Sequence, residues 1–221
     1  VMFVREFYAR RAMLIELNYP EPAPVELPAE KTLLLIIDME NENVHPDGKL
    51  FIGESVRKII PRIVELRKHL CQAGGRVAHT QSVRSPDALE FTVFNNTVRK
   101  LEGSWGAQLI DELKPAADEP LIVKRTHDCF YRTEMESLLN RLGMRPGESH
   151  VIITGISTRN CIQSAVTAFS VRDYHVYMPM DCTAQRDEKE ILQAFSLFTS
   201  FGYRHNVTMT RSDLIQLRLP A

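Results

Sequence analysis

A continuous apolar run, Leu33-Leu34-Leu35-Ile36-Ile37, ends abruptly at Asp38. A strand with one wet face alternates apolar and polar residues, so an unbroken run predicts a strand buried on both faces, as at the centre of a parallel sheet covered by helices on either side. The rest of the chain repeats that pattern. A helix is expected over about residues 55–72, closed by Gly74-Gly75, and then a strand from 76 to about 80. After a loop-rich middle come a short helix over 105–113, a strand over 121–124 and a helix over about 133–142, where Thr133 and Glu136 have capping-box spacing. A strand over 151–154, a helix over about 161–173, a strand over 175–178, a helix over about 188–201 and a last strand over 206–209 complete the series. Strand and helix alternate about six times, which predicts an α/β fold with a mostly parallel six-stranded sheet and helices on both faces.

Residues 1–30 read differently. Pro20, Pro22, Pro24 and Pro28 forbid a regular helix and predict an extended N-terminal strap, with a single domain over 31–221. A chain of 221 residues is long enough to bury a full core without staples. Lys plus Arg (27) nearly cancels Asp plus Glu (28), so no overall field draws the protein to nucleic acid or an anionic membrane. A small molecule or a second copy of the chain is the expected partner. No apolar run approaches a membrane span and the first residues lack a signal-peptide pattern. The four cysteines (Cys71, Cys129, Cys161, Cys182) are scattered without zinc spacing, which suits free thiols in a reducing, cytoplasmic compartment.

In open α/β sheets the ligand lies beyond the carboxyl ends of the strands. Three polar side chains belong there: Asp38, Lys124, and Cys161 just past the Val151–Thr154 run and its glycine turn. At the start of a helix, unpaired N–H groups and the helix dipole favour a thiolate, so Cys161 is the candidate nucleophile and its pKa is expected to fall. Each of the three also has an ordinary structural reading: a cap or loop ligand for Asp38, a strand terminus for Lys124, an inert packed thiol for Cys161. Their combination is what points to chemistry.

These residues resemble the isochorismatase-like cysteine hydrolases. Leu35-Ile36-Ile37-Asp38-Met39 is similar to the first-strand aspartate motif of that family, Lys124 to its lysine strand, and Gly155-Ile156-Ser157-Thr158-Arg159-Asn160-Cys161 to its nucleophile turn. Phe130 with Thr133, Glu136 and Leu138 resembles the segment after the lysine. The resemblance implies a Rossmann-like fold, an Asp38–Lys124–Cys161 triad and a cis peptide between Ile156 and Ser157, with the amides of Ser157 and Cys161 as an oxyanion hole. It also implies a homodimer or homotetramer, in which a neighbouring chain could complete the pocket. In the implied mechanism Asp38 accepts the thiol proton, Lys124 balances charge, and the Cys161 thiolate attacks a planar carbonyl. The leaving nitrogen takes the proton from Asp38, and water hydrolyses the thioester.

The branch is narrowed by what is missing. The mid-chain strand end reads His79-Thr80-Gln81-Ser82-Val83-Arg84 with no Asp-x-His, and the seven histidines show no ligand spacing, so neither a metal nor another cofactor is expected. Glu40 stands where the family often has glutamine, and Asn43 where it often has an aromatic residue. If Asn43 replaces an aromatic wall, a polar ureide or short amide suits the pocket better than a flat ring; otherwise both side chains face solvent. The 103–113 segment and the strap resemble the ureidoacrylate and biuret amidohydrolase branch. The expected activity is therefore cleavage of a C–N bond in a small linear amide or ureide. An isochorismatase-type or nicotinamidase-type hydrolase, a non-catalytic binding homologue and a thiol redox enzyme are the competing readings. Trp105 and Phe130 either wall the pocket or belong to the core, and Arg159 either grips a carboxylate or carbonyl or pairs at the surface.

Overall fold

The computed structural model describes residues 19–89, 91 and 99–219. Its strands are β1 (Val25–Pro28), β2 (Thr32–Ile37), β3 (Arg76–Ser82), β4 (Leu121–Lys124), β5 (His150–Ile156), β6 (His175–Pro179), β7 (Thr183–Ala184), β8 (Val207–Thr210) and β9 (Ile215–Arg218). The main sheet runs in the order β4-β3-β2-β5-β6-β8, every neighbouring pair parallel, and short β7 pairs with β5. Among the described residues it is thus a seven-stranded sheet, not a six-stranded one. The extra strand is a two-residue pairing too short to leave a periodic signal.

All six residues of β2 are buried, and the period of two sorts them between two cores. Leu33, Leu35 and Ile37 pack on one face with helices α3 (Met135–Arg141), α4 (Gln163–Ser170) and α5 (Glu188–Phe198). Leu34 and Ile36 pack on the other face, against α2 (Glu54–Gln72), which follows the one-turn helix α1 (Asn41–Val44). On α2 the residues Val56, Ile59, Ile60, Ile63, Leu66 and Leu70 recur at helical spacing and are all buried. Each such Leu or Ile contributes on the order of 2 kcal/mol of transfer free energy, so the continuous apolar run is the hydrophobic ridge holding both layers.

The strand order places the site. From β2 the chain steps outward through β3 to β4, then returns to the other side of β2 and proceeds through β5 and β6 to β8. The direction reverses between β2 and β5, which opens a crevice beyond their carboxyl ends. Register sets Ile37 opposite Thr80 on one side and Gly155 on the other, so Asp38 emerges in that crevice.

Several local expectations are corrected. The 105–113 segment is two short 3-10 turns, Trp105–Ala107 and Asp111–Leu113. Between them the chain is extended, because Asn41 N donates to Gln108 O (2.8 Å) and Ile110 N to Met39 O (2.9 Å), tertiary bonds that a helix would forfeit. The capping box does not form: Thr133 Oγ1 accepts from Met135 N (3.3 Å), but Glu136 reaches outward to Arg172. The last two predicted helices are shorter, α4 being preceded by a π turn at Thr158–Ile162 and α5 ending at Phe198.

Residues 1–18 of the strap lie outside the described residues. Its far end is not merely extended chain: β1 pairs in parallel with β9, and Leu27 and Ala29 are buried in the α2-side core. Strand β9, Ile215-Gln216-Leu217-Arg218, has one neighbour and only half-buried apolar residues, which is why its alternation passes unnoticed. No helix of the described residues is long and apolar enough to cross a membrane.

Candidate active site

Asp38 follows the last residue of β2 and is the first of the three candidate groups to be fixed. Its backbone is left-handed (φ 54°) and its N–H donates to Thr80 O (3.2 Å). The side chain is buried; Oδ1 accepts from Thr80 Oγ1 and Oδ2 from Lys124 Nζ, each at 2.6 Å. Lys124, the last residue of β4, is buried too, and its three donors are all used: Asp38 Oδ2, Thr126 O (3.0 Å) and Cys161 Sγ (3.3 Å). A buried ammonium needs that complete set, since each unpaired donor would carry a desolvation cost.

Cys161 is brought up by the end of β5. Gly155 has φ 108°, and a Cβ there would overlap the Ile37 carbonyl, so only glycine lets β5 close against β2 at this level. The Ile156–Ser157 peptide that follows is cis. The π turn Thr158–Ile162 then carries Cys161 to the Asp38–Lys124 pair, with Thr158 Oγ1 bonded to Thr183 Oγ1 (2.8 Å) to hold the turn against β7.

The electrostatics of the group correct one expectation. The Cys161 thiol is pushed up, not down: burial raises its pKa and the Asp38 carboxylate raises it further, with Lys124 opposing. The helix-start field is outweighed because the sulfur is almost wholly removed from water. For Asp38 burial also pulls upward, but the Lys124 cation, aided by Lys100 and a hydrogen bond from the thiol, holds the carboxyl below its usual range. Lys124 is held above its ordinary value by Asp38 despite its burial. The resting site is therefore a neutral thiol beside an ionised carboxylate–ammonium pair, a proton acceptor already hydrogen-bonded to the nucleophile's proton.

A cavity of about 120 Å³ opens over Cys161. Asp38, Asn43, Ile156, Ser157 and Cys161 line it, as do Ser82, Arg84, Lys100, His127 and Asn160, which sequence reasoning did not single out. His127 Nδ1 is 3.3 Å from Cys161 Sγ. Its position three residues past Lys124, beyond the end of β4, was the available signal. Lys100 and Arg84 lie in the loop-rich middle, where no periodicity announces that the Arg84–Leu101 bridge will fold the chain back over the crevice.

Four residues weighed for substrate contact lie outside the lining of this small cavity. Glu40 is fully buried behind the cavity, accepting from Ser82 N (2.5 Å) and Lys100 Nζ (2.9 Å). Trp105 is 47% exposed, edge-on to His45, and lines an adjoining open cavity of about 520 Å³. Phe130 belongs to the core, its ring centre 4.9 Å from that of Phe169 and 4.0 Å below the Arg172 guanidinium. Arg159 turns outward to Glu190 (3.4 Å), away from the nucleophile beside it in sequence. Among the described residues no group of three or more His, Cys, Asp or Glu side chains could hold a metal ion.

A cysteine, an aspartate and a lysine converging at the switch point of a parallel α/β sheet define the cysteine hydrolase class. The sequence matches the Isochorismatase domain over residues 32–211. The chain belongs to the isochorismatase family. It is 26% identical over 211 residues to a protein named ureidoacrylate amidohydrolase RutB from Yersinia enterocolitica, covering 84% of this chain and 90% of that one. It is also 26% identical over 157 residues to YaaI of Bacillus subtilis, an isochorismatase family protein, covering 71% and 82% of the two chains. The structure of N-carbamoylsarcosine amidase from Thermoplasma acidophilum superposes with a TM-score of 0.70 at 23% identity, covering 83% of this chain and 97% of that one, a likeness of fold.

Proposed function

We propose that this chain is a cysteine-dependent amidohydrolase that cleaves the C–N bond of a small linear amide or ureide, of the ureidoacrylate, biuret or N-carbamoyl type, through a thioester. The observation that carries the reading is the Lys124 ammonium, which bonds at once to Asp38 Oδ2 and Cys161 Sγ at the floor of a small cavity. The similarity to a ureidoacrylate amidohydrolase along most of both chains supports the amide as the reacting group.

In this reading Asp38 takes the Cys161 proton as the sulfur attacks the carbonyl carbon, and Lys124 stabilises the sulfur as it gains charge. Coupling the transfer to attack matters, because burial makes a free thiolate costly beforehand. The carbonyl oxygen becomes an oxyanion against the Ser157 and Cys161 amides, a contact of the kind that contributes about 3–4 kcal/mol to transition states. As the C–N bond breaks, the proton on Asp38 passes to the leaving nitrogen, which departs as ammonia or an amine. Water then attacks the thioester, Asp38 accepts its proton, and the thiol is restored.

The test is ammonia release from ureidoacrylate, biuret, N-carbamoyl amino acids, maleamate and nicotinamide, with the Cys161→Ala variant alongside. Turnover of a linear amide or ureide that vanishes in the variant is expected. Undiminished turnover by the variant, or none by the wild type on any compound, would overturn the reading.

A further inference from the structure

The amidohydrolase reading leaves unexplained a second buried ion pair beside the first. Glu40 is 0% exposed, two residues after Asp38, and packs into the same wall of the crevice. A carboxylate there is costly to desolvate unless it is fully partnered. Its partners are the Ser82 amide and the Lys100 ammonium. Lys100 comes from a distant loop, yet its side chain is only 13% exposed.

The backbone around Lys100 is equally determined. Lys100 is left-handed (φ 50°), as Asp38 is, and its carbonyl accepts from Arg84 N at 2.8 Å just past the end of β3. A non-glycine residue held in that region, anchored at backbone and side chain alike, belongs to the kind of position found at ligand sites. Lys100 also lines both cavities, the small one over Cys161 and the larger one beside Trp105, so it stands where they meet. An ammonium has three donors, and Glu40 takes one from the protein side.

Asn43 lines the same small cavity. Its Oδ1 is buried and has no hydrogen-bond partner among the described residues. A buried acceptor left unpaired is a lost hydrogen bond until something supplies an N–H. The lining of the small cavity therefore combines a nucleophile, an amide side chain with an unpaired acceptor, and a cation.

We propose that Lys100, held in place by Glu40, is the specificity-determining cation of this site, and that the substrate is a compact amide or ureide bearing a carboxylate on the side away from the scissile bond. The carboxylate docks on Lys100, the Asn43 side chain turns its unpaired Oδ1 into the cavity to accept an N–H of the amide or ureide, and the carbonyl carbon is thereby set over Cys161 Sγ. Neutral amides and flat uncharged rings lack the group that Lys100 takes up. This rests on the amidohydrolase reading for the identity of the reacting group.

The test is equilibrium binding, measured by calorimetry on the Cys161→Ala protein so that no turnover intervenes. The probes are N-carbamoylglycine and its neutral primary amide. The carboxylate is expected to bind about tenfold or more tightly than the neutral compound, the gain of one charge-assisted contact. Adding Lys100→Met should erase that gap and leave the neutral compound within about threefold. Because Lys100→Met strands a buried carboxylate, Glu40→Gln/Lys100→Met serves as the second variant. Its glutamine can still accept from Ser82 N, and the gap should be erased there too. Equal affinity for both probes, no binding of either, or a gap that survives in both variants would overturn the proposal. Failure of the amidohydrolase reading is seen separately, as absence of ammonia release by the wild-type chain.

Discussion

Lys124 Nζ lies 2.6 Å from Asp38 Oδ2, both side chains almost wholly buried and 86 positions apart in sequence. Such a pair has lost most of its hydration, so removing one partner leaves the other as an uncompensated charge. Lys124→Met should destabilise the fold by about 3–5 kcal/mol in urea unfolding. Loss of activity should accompany it, because Asp38 would then be pushed towards its protonated form by burial. A variant of wild-type stability would mean that the two groups are not ionised together in the fold.

Cys161→Ala tests the other end of the same contact. It removes a sulfur from a cavity edge, where water can take over the third donor of Lys124, and leaves the Asp38–Lys124 pair intact, so stability should change by less than about 1.5 kcal/mol while turnover falls to background. Circular dichroism and a urea titration beside the ammonia assay check both halves. The wild-type thiol should react slowly with iodoacetamide at pH 7, since burial and Asp38 raise its pKa. Rapid alkylation would show a resting thiolate instead.

Gly155→Ala should be severe for a reason independent of chemistry. The position combines a left-handed φ with direct approach to the Ile37 backbone, and neither can be relieved by moving a flexible side chain. A loss of about 2–4 kcal/mol or outright failure to fold is expected. By contrast Gly103→Ala, where a Cβ meets nothing, carries only the φ penalty and should cost about 1 kcal/mol. The pair of midpoints separates backbone conformation from close approach.

Much of the fold was legible because its main strands are apolar runs with no other interpretation. Leu33–Ile37 and Val151–Ile153 are buried on both faces, and Asp38, Lys124 and Cys161 stand at strand ends or just past them, where a parallel sheet gathers its ligands. What escaped notice lacks a periodic signal. Lys100 and His127 reach the cavity from loops, and a loop residue's place depends on tertiary bonds such as Arg84 N to Lys100 O. Phe130 and Arg159 each had two open readings for a related reason: adjacency in sequence to a site residue does not fix which way a side chain turns, and here Phe169 and Glu190 decide it. The thiol's pKa direction was misjudged because a sequence displays the helix start but not the depth of burial.

His150 supplies a pH dependence remote from the site. Its pKa is lowered to about 4 by burial, and further by the nearby charges of His175, Lys31 and Arg218, with Glu30 opposing. In the unfolded chain it titrates near 6.5, so between pH 6.5 and 4 the unfolded state binds the additional proton. The stability that His150 contributes is thus fully present above about pH 6.5 and is lost as the pH falls through the folded value near 4. The group is half-buried, so solvent screening reduces the effect to on the order of 1–2 kcal/mol. His150→Phe should remove this part of the acid sensitivity while preserving the stack on His175 and the contact with the Tyr177 ring. Urea midpoints measured from pH 7 to pH 4 should therefore fall less steeply in the variant, and parallel curves for the two proteins would show that His150 is protonated in the fold.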